Sequence, residues 1–174
     1  MERFARLLRT LPPGGVTAEA LAVRFQEELS RRADLMPGAL ALLTSLRGRM
    51  RIALVTNGVS ATQRSRLSRC PFTPLLDAVI ISEEIGISKP DPRMVDAALT
   101  ALGCEDRSAA VLLGDSVTAD IAAARAAGID SIWFSPGGGS CPAATYTVRS
   151  LEEAGALLRK GEEDVSDCEE ACAE

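Results

Sequence analysis

Asp115 and Asp120 lie five positions apart at the end of an apolar run, and that spacing can do chemistry. The run, Ala109 to Leu113, reads as a buried parallel strand stopping at Gly114. Ile121 to Gly128 then reads as a helix closed by glycine. Acids at such a strand-to-helix turn sit at the carboxyl edge of a parallel sheet, where ligands bind, and the helix start offers amides to an anion. Two carboxylates facing one site repel by roughly 4 kcal/mol at about 4 Å with an effective dielectric near ~20, so a cation is needed. A hard divalent ion, Mg²⁺ before others, is the candidate. The competing reading is local: Asp115 or Ser116 caps the helix while Asp120 faces water in its first turn.

Two further stretches carry chemistry-bearing residues. Leu54-Val55-Thr56-Asn57-Gly58 puts a hydroxyl and a glycine at another strand's carboxyl end, where side chain and backbone amides can hold phosphoryl oxygens. The same T-N-G also serves as an ordinary turn. In Ile87-Ser88-Lys89-Pro90-Asp91-Pro92, a lysine confined by short loop residues and proline suits a fixed cation facing an anionic substrate, although a solvated loop lysine has the same sequence. Coincidence separates these readings. Thr56, Lys89, Asp115 and Asp120 all fall just past the ends of different strands, hence on one rim, and together they are the parts that phosphoryl transfer requires.

The elements that must position them alternate. Arg51–Thr56 is an expected strand, Ser60–Arg69 a helix, Ala78–Ser82 a strand, Pro92–Leu102 a helix, Ala109–Leu113 a strand and Thr118–Ala127 its helix. Ile129–Phe134 is a fourth strand, Thr145–Val148 a short fifth, and a last helix runs from Ser150 to about Lys160. Strand–helix alternation predicts right-handed crossovers and a parallel sheet covered on both faces. Upstream, Phe4, Leu7, Leu8 and Leu11 have helical spacing before the breaker Pro12-Pro13-Gly14-Gly15. Thr17 can cap a second helix with a buried stripe of Leu21, Phe25 and Leu29; Pro37 opens a third, carrying Leu40, Leu43 and Leu46 and ending near Arg47-Gly48. The tail from Gly161 to Glu174 is rich in Glu and Asp with little to bury, and is expected to be disordered.

Composition narrows the chemistry. The 174 residues contain no histidine, which removes Ser-His and Cys-His schemes and His-bearing zinc sites together. The cysteines at 70, 104, 141, 168 and 172 are odd in number and lack a C-x-x-C pair, so reduced thiols are expected. A net charge of −5 argues against nucleic acid as the main partner. The absence of a long apolar window or signal-peptide pattern gives the expectation of a soluble cytoplasmic protein without a membrane partner.

T-N-G, S-K-P-D-P and G-D-S-x-x-x-D, in this order and on these strands, resemble motifs II, III and IV of the haloacid dehalogenase-like (HAD) phosphohydrolase superfamily, over Pro37 to about Leu158. Ile81-Ser82-Glu83-Glu84 and Trp133-Phe134-Ser135-Pro136 are similar to the pyrimidine 5′-nucleotidase-like subgroup. The resemblance implies an α/β three-layer Rossmannoid sandwich over 37–160 and, in 1–36, the remnant of a helical cap of the C1 type. It also implies that Thr56 binds phosphate, that Lys89 steadies nucleophile and phosphoryl charge, and that Asp115 ligates Mg²⁺ with Asp120 supporting the metal. Thr56, Asn57, Gly58 and Lys89 form the expected substrate-binding set, with Lys89 and Thr56 catalytic.

One departure from the family is large. HAD enzymes attack phosphate with the first Asp of D-x-D-x-T/V on the first strand, forming an aspartyl-phosphate, and these 174 residues contain no such segment. In the family that strand lies between those carrying Thr56 and Asp115, so both should lack their natural neighbour here, a costly arrangement for backbone in mid-sheet. The expectation is an N-terminally truncated Mg²⁺-dependent phosphatase of a small phosphomonoester, a nucleotide by resemblance, inactive by itself. The alternative is a non-catalytic HAD-fold protein binding a phospho-ligand or partner. A phospho-acceptor receiver domain is disfavoured because its acids precede Thr and Lys, and oligomeric state is left open.

Overall fold

The computed structural model describes residues 2–11 and 14–160. The expected Pro12-Pro13 breaker and acidic tail, with Cys168 and Cys172, lie outside the described residues. Helices α1 (Glu2–Leu8), α2 (Ala18–Arg31) and α3 (Ala39–Leu46) come first. Then follow β1 (Ala53–Thr56), α4 (Ser60–Leu67), β2 (Ala78–Ile81), α5 (Ser82–Ile85), α6 (Arg93–Leu102) and β3 (Val111–Gly114). After a wide π-helical turn at Val117–Ile121 come α7 (Ala122–Ala127), β4 (Asp130–Phe134), β5 (Tyr146–Val148) and α8 (151–160).

All strand pairs are parallel, as alternation with helices requires, but they form two sheets, β1-β2 and β3-β4-β5. No described strand pairs with the remaining edge of β1 or of β3. The expected absence of a neighbour between these two strands is thus visible as a division of the sheet.

Successive residues of a strand face opposite sides, and β3 shows what covers each. Leu113 packs with Leu42 and Leu46 of α3, Ile132 of β4, Val148 of β5 and Leu151 and Ala154 of α8. Leu112 packs against Val95 and Leu99 of α6 and Ala123 and Ala127 of α7. Helices therefore lie on both faces, giving three layers. Ile132 is 1% exposed, and truncating such a core side chain to alanine costs about 2–5 kcal/mol.

The N-terminal helices are different. Thr17 caps α2 as expected, its Oγ1 accepting from the Ala20 amide at 3.1 Å. The expected buried stripe of Leu21, Phe25 and Leu29 is not buried: neither α1 nor α2 contains a buried residue, and Phe25 is 37% exposed. Phe25 instead meets Phe4 edge-to-face at 5.5 Å, with the Arg3 guanidinium over both rings. Helix α2 docks on α4 and the turn after it through polar contacts, Thr62 Oγ1 to Gln26 Oε1 at 2.8 Å and Arg69 to the Ser30 carbonyl at 2.7 Å. Pro37 is not the first residue of α3: the helix starts at Ala39 behind Gly38 in a left-handed conformation. Its buried positions are accordingly Leu42 and Leu46, while Leu40 is exposed.

Candidate active site

Every strand of a parallel sheet delivers its following loop to one rim. The parallel registers place Thr56 beside Ile81 and Gly114 beside Trp133, so the loops after β1, β2, β3 and β4 leave from the carboxyl ends of their sheets. One lysine joins the two sheets there. Asp77 and Ala78 at the start of β2 donate their amides to the Ile52 carbonyl, so by strand alternation the Val55 carbonyl points away from β2, toward the division. Lys89 Nζ donates to that carbonyl at 2.6 Å and pairs with Asp120 Oδ1 at 2.6 Å. The two side chains are only 11% and 10% exposed.

The backbone of Lys89 is held as closely as its ammonium. Asn57 Nδ2 donates to the Lys89 carbonyl and the Lys89 amide donates to Asn57 Oδ1, both at 2.9 Å. The Asn57 carboxamide is thus spent on positioning the lysine. The Gly58 amide donates to Ser82 Oγ at 2.9 Å, and the Gln63 side chain lies over Gly58, 2.7 Å from where a Cβ would stand.

Asp120 is fixed from its own side as well. Its Oδ2 accepts from the Ser116 amide at 3.0 Å, while Ser116 Oγ accepts from the Ala119 amide at 3.2 Å and caps the π turn. The capping expected of Asp115 or Ser116 therefore falls to Ser116. Asp120 does not face water, being 7% exposed. Gly114 makes this possible: a Cβ there would stand 2.4 Å from Asp120 Cβ. The repulsion anticipated between the two acids is offset on Asp120 by the Lys89 ammonium.

Asp115 is exposed, and its carboxylate makes no hydrogen bond or ion pair among the described residues; the Thr56 hydroxyl makes none either. Its backbone is nonetheless tethered, because Trp133 Nε1 donates to the Asp115 carbonyl at 2.9 Å. The Trp133 ring in turn packs within 3.2 Å of where a Gly139 Cβ would stand. Trp133 and Ser82 are residues the motifs did not single out for these tasks. A tryptophan near the carboxyl end of the strand beside the one that leads to Asp115 was the available signal.

The helix behind the Thr56 turn is secured by α5. Glu83 Oε2 accepts from the Ser60 amide at 2.8 Å, supplying α4 with a cap from another element. Arg64 grips Glu84 at 2.8 and 2.7 Å and, with the Ser60 hydroxyl, holds that carboxyl below its ordinary range.

A cluster of three or more His, Cys, Asp or Glu is not present among the described residues. Mg²⁺ needs no such cage: one or two carboxylates suffice when waters and phosphate oxygens complete the shell. An unpartnered Asp115 beside an Asp120 anchored by amide and ammonium is compatible with that requirement.

Comparison with known proteins agrees with this architecture. Residues 2–128 match the family model described as haloacid dehalogenase-like hydrolase. Pyrimidine 5′-nucleotidase YjjG of Escherichia coli (strain K12) is 39% identical over 128 residues, 72% of this chain and 57% of that protein. Phosphoserine phosphatase of Thermus thermophilus is 40% identical over 121 residues, 69% of this chain and 48% of that protein. The chain spans about half the length of the curated relatives it matches. Among solved structures, HAD-hydrolase YfnB of Bacillus subtilis bound to magnesium superposes with a TM-score of 0.81 at 31% identity, covering 90% of this chain and 69% of that one. With a matching family model over most of its length and a shared fold, the chain belongs to the haloacid dehalogenase-like hydrolases.

Proposed function

We propose that this chain forms the phosphate- and metal-binding part of a Mg²⁺-dependent phosphohydrolase acting on a small phosphomonoester, a pyrimidine nucleotide in the first instance. The observation carrying this reading is the Lys89–Asp120 pair at 2.6 Å on the rim that also presents the unpartnered Asp115 carboxylate and Thr56 hydroxyl. Similarity to two pyrimidine 5′-nucleotidases supports the substrate class. Free thiols at Cys70, Cys104 and Cys141 support a cytoplasmic setting, and no described helix is long and apolar enough to cross a membrane.

Thr56 Oγ1 donates to a phosphoryl oxygen, and Lys89 places its positive charge against the same group. Asn57 acts by fixing Lys89, and Gly58 by tying the turn to Ser82 through its amide. Asp115 would hold the metal, and Asp120 orients both the lysine and the Ser116 turn. When bound, Mg²⁺ supplies charge neutralisation for the phosphoryl oxygens. Residues 1–36 serve as an element of a helical cap over the 37–160 body. Residues 1–174 contain no D-x-D-x-T/V segment, so the chain alone binds substrate-like anions without rapid turnover.

Calorimetry tests the binding reading directly: inorganic phosphate binds more tightly with Mg²⁺ present, and Asp115→Asn abolishes that enhancement. Phosphate affinity indifferent to Mg²⁺ in the folded chain overturns it. Turnover of p-nitrophenyl phosphate that is lost in Asp115→Asn overturns the expectation of inactivity. A second reading, a non-catalytic phospho-ligand binder, draws on the same rim of Lys89, Thr56 and Asp115. Adding a D-x-D-x-T/V segment in trans distinguishes them, since only the phosphohydrolase gains Lys89-dependent activity.

A further inference from the structure

Asp115 is exposed and sits on a loop, so the precision with which its carboxylate can hold a ligand depends on how its backbone is held. The peptide group joining Asp115 to Ser116 is gripped at both of its polar ends. Its carbonyl accepts from Trp133 Nε1 at 2.9 Å, and its N–H donates to Asp120 Oδ2 at 3.0 Å. The two partners belong to different elements. Trp133 lies on β4, whereas Asp120 lies in the π turn and is itself paired with Lys89 at 2.6 Å. Because a peptide group is planar, these two bonds fix its orientation together, and rotating it breaks both.

The strand register explains how the indole reaches this carbonyl. Gly114 stands beside Trp133 in the parallel β3–β4 pair, so the side chain has only to extend one residue ahead to meet Asp115. The benzo ring is seated by the loop after β4. There the Ser135 amide donates to the Val148 carbonyl at 2.8 Å, the Gly138 amide to the Ser135 carbonyl at 2.9 Å, and Ser135 Oγ to the Gly138 carbonyl at 2.7 Å. Gly139, at a φ of +123°, passes so near that a Cβ on it would stand 3.2 Å from Trp133 Cη2. Burial alone does not dictate the bond to Asp115: Trp133 is only half-buried, and an indole N–H at such a place has water available as a partner.

We propose that Trp133 is a positioning residue for the metal: by holding the Asp115–Ser116 peptide, its N–H sets the affinity of the Asp115 carboxylate for a divalent cation. This rests on the reading of Asp115 as the acid that holds the metal. Thr56 and Lys89 have supports of their own, so phosphate recognition without metal does not depend on the indole. Partners that orient a metal ligand are worth about 10–100-fold in affinity, and a bond to the ligand's backbone belongs at the low end of that range.

Trp133 is the only tryptophan of the chain, so biosynthetic replacement of tryptophan alters this position alone. Benzothienylalanine keeps the shape of the ring with sulfur in place of the N–H, whereas azatryptophan keeps the N–H. The probe is Mn²⁺, which takes the same oxygen ligands as Mg²⁺ and whose free concentration is read by electron paramagnetic resonance during titration of the full chain. The site that counts is the one lost in Asp115→Asn. Its affinity should fall about tenfold with benzothienylalanine and stay within about twofold of the parent with azatryptophan. Calorimetric binding of inorganic phosphate without metal should be alike in the parent and both replaced chains. Should the benzothienylalanine chain fail to fold, Trp133→Phe, which retains an aromatic ring without the N–H, carries the same expectations. Unchanged Asp115-dependent Mn²⁺ affinity in the chain lacking the N–H overturns the inference and leaves the proposed function standing. An equal loss of metal-free phosphate binding also overturns it, because the bond then serves the fold at large. A parent chain with no Asp115-dependent Mn²⁺ binding overturns both.

Discussion

The two rims of the parallel strands solve the same electrostatic problem with opposite charges. At the carboxyl rim, loops lead into helix starts, whose amides lack intrahelical partners and donate to carboxylates: the Ser116 amide to Asp120 and the Ser60 amide to Glu83. At the amino rim, helices end and their last carbonyls lack donors, so guanidiniums collect: Arg51 on Leu102 and Gly103, Arg47 on Pro74. Burial then separates the two. Lys89 and Asp120 are about one-tenth exposed and must stay paired, whereas Arg47 and Arg51 stay exposed and keep their charge available. Buried, crossed-over pairing fixes the charges of the first rim in the interior, whereas those of the second rest on carbonyls at the surface.

The largest effect expected from this contrast comes from breaking the buried pair. Lys89→Met leaves Asp120 without its ammonium and should cost about 3–5 kcal/mol in urea unfolding, with Asp120→Asn added on top recovering most of the loss. Additive losses in the double variant would mean that the pair is not the unit of stability. Next is Gly114→Ala, whose Cβ would fall 2.4 Å from Asp120 Cβ. The backbone of a sheet strand cannot yield that far cheaply, so about 1–3 kcal/mol should be lost. On the other rim, Arg51→Gln removes a charge from the end of α6 and should cost only about 0.3–1 kcal/mol, an amount reduced by salt. The smallest effect concerns an exposed pair on the Lys89 loop itself. Arg93, by side chain and then backbone amide, holds the Asp91 carboxyl down to about 2 from an ordinary 3.8. Its contribution is present above the ordinary value and is lost as pH falls through about 2. Carboxyl NMR titration should show that midpoint rise toward 3.8 in Arg93→Gln, with little change in stability at neutral pH.

What was readable in the sequence follows the same physics. Val111-Leu112-Leu113-Gly114 and Ile132-Trp133-Phe134 are apolar on both faces, and so were identifiable as strands covered by helices. Thr17 and Gly128 announced helix ends because capping is local chemistry, and Gly128 does adopt the left-handed conformation at the end of α7. Helix α5 was not legible: Ser82-Glu83-Glu84-Ile85 is too short for a period, and its reason for being helical lies in Arg64 and Ser60, twenty or more positions away. The stripe of α2 misled because amphipathicity reports a face able to be buried, whereas α2 meets α4 and the turn after it through polar groups. The rim positions of Thr56, Lys89 and Asp120 followed from strand ends alone. That Asn57 would spend both ends of its amide on Lys89, or that Trp133 would hold the Asp115 carbonyl, depended on distances that no spacing encodes.

An ammonium has three protons to give. In Lys89 one is donated to the Val55 carbonyl and one to Asp120, which leaves a single N–H for the phosphoryl oxygen that the proposed function would bring. The direction of approach is thereby narrowed before any ligand arrives. A ligand demanding a second proton from this lysine would have to strip it from a strand-edge carbonyl or from a buried acid, so recognition of an anion and cohesion of the divided sheet draw on one shared set of donors.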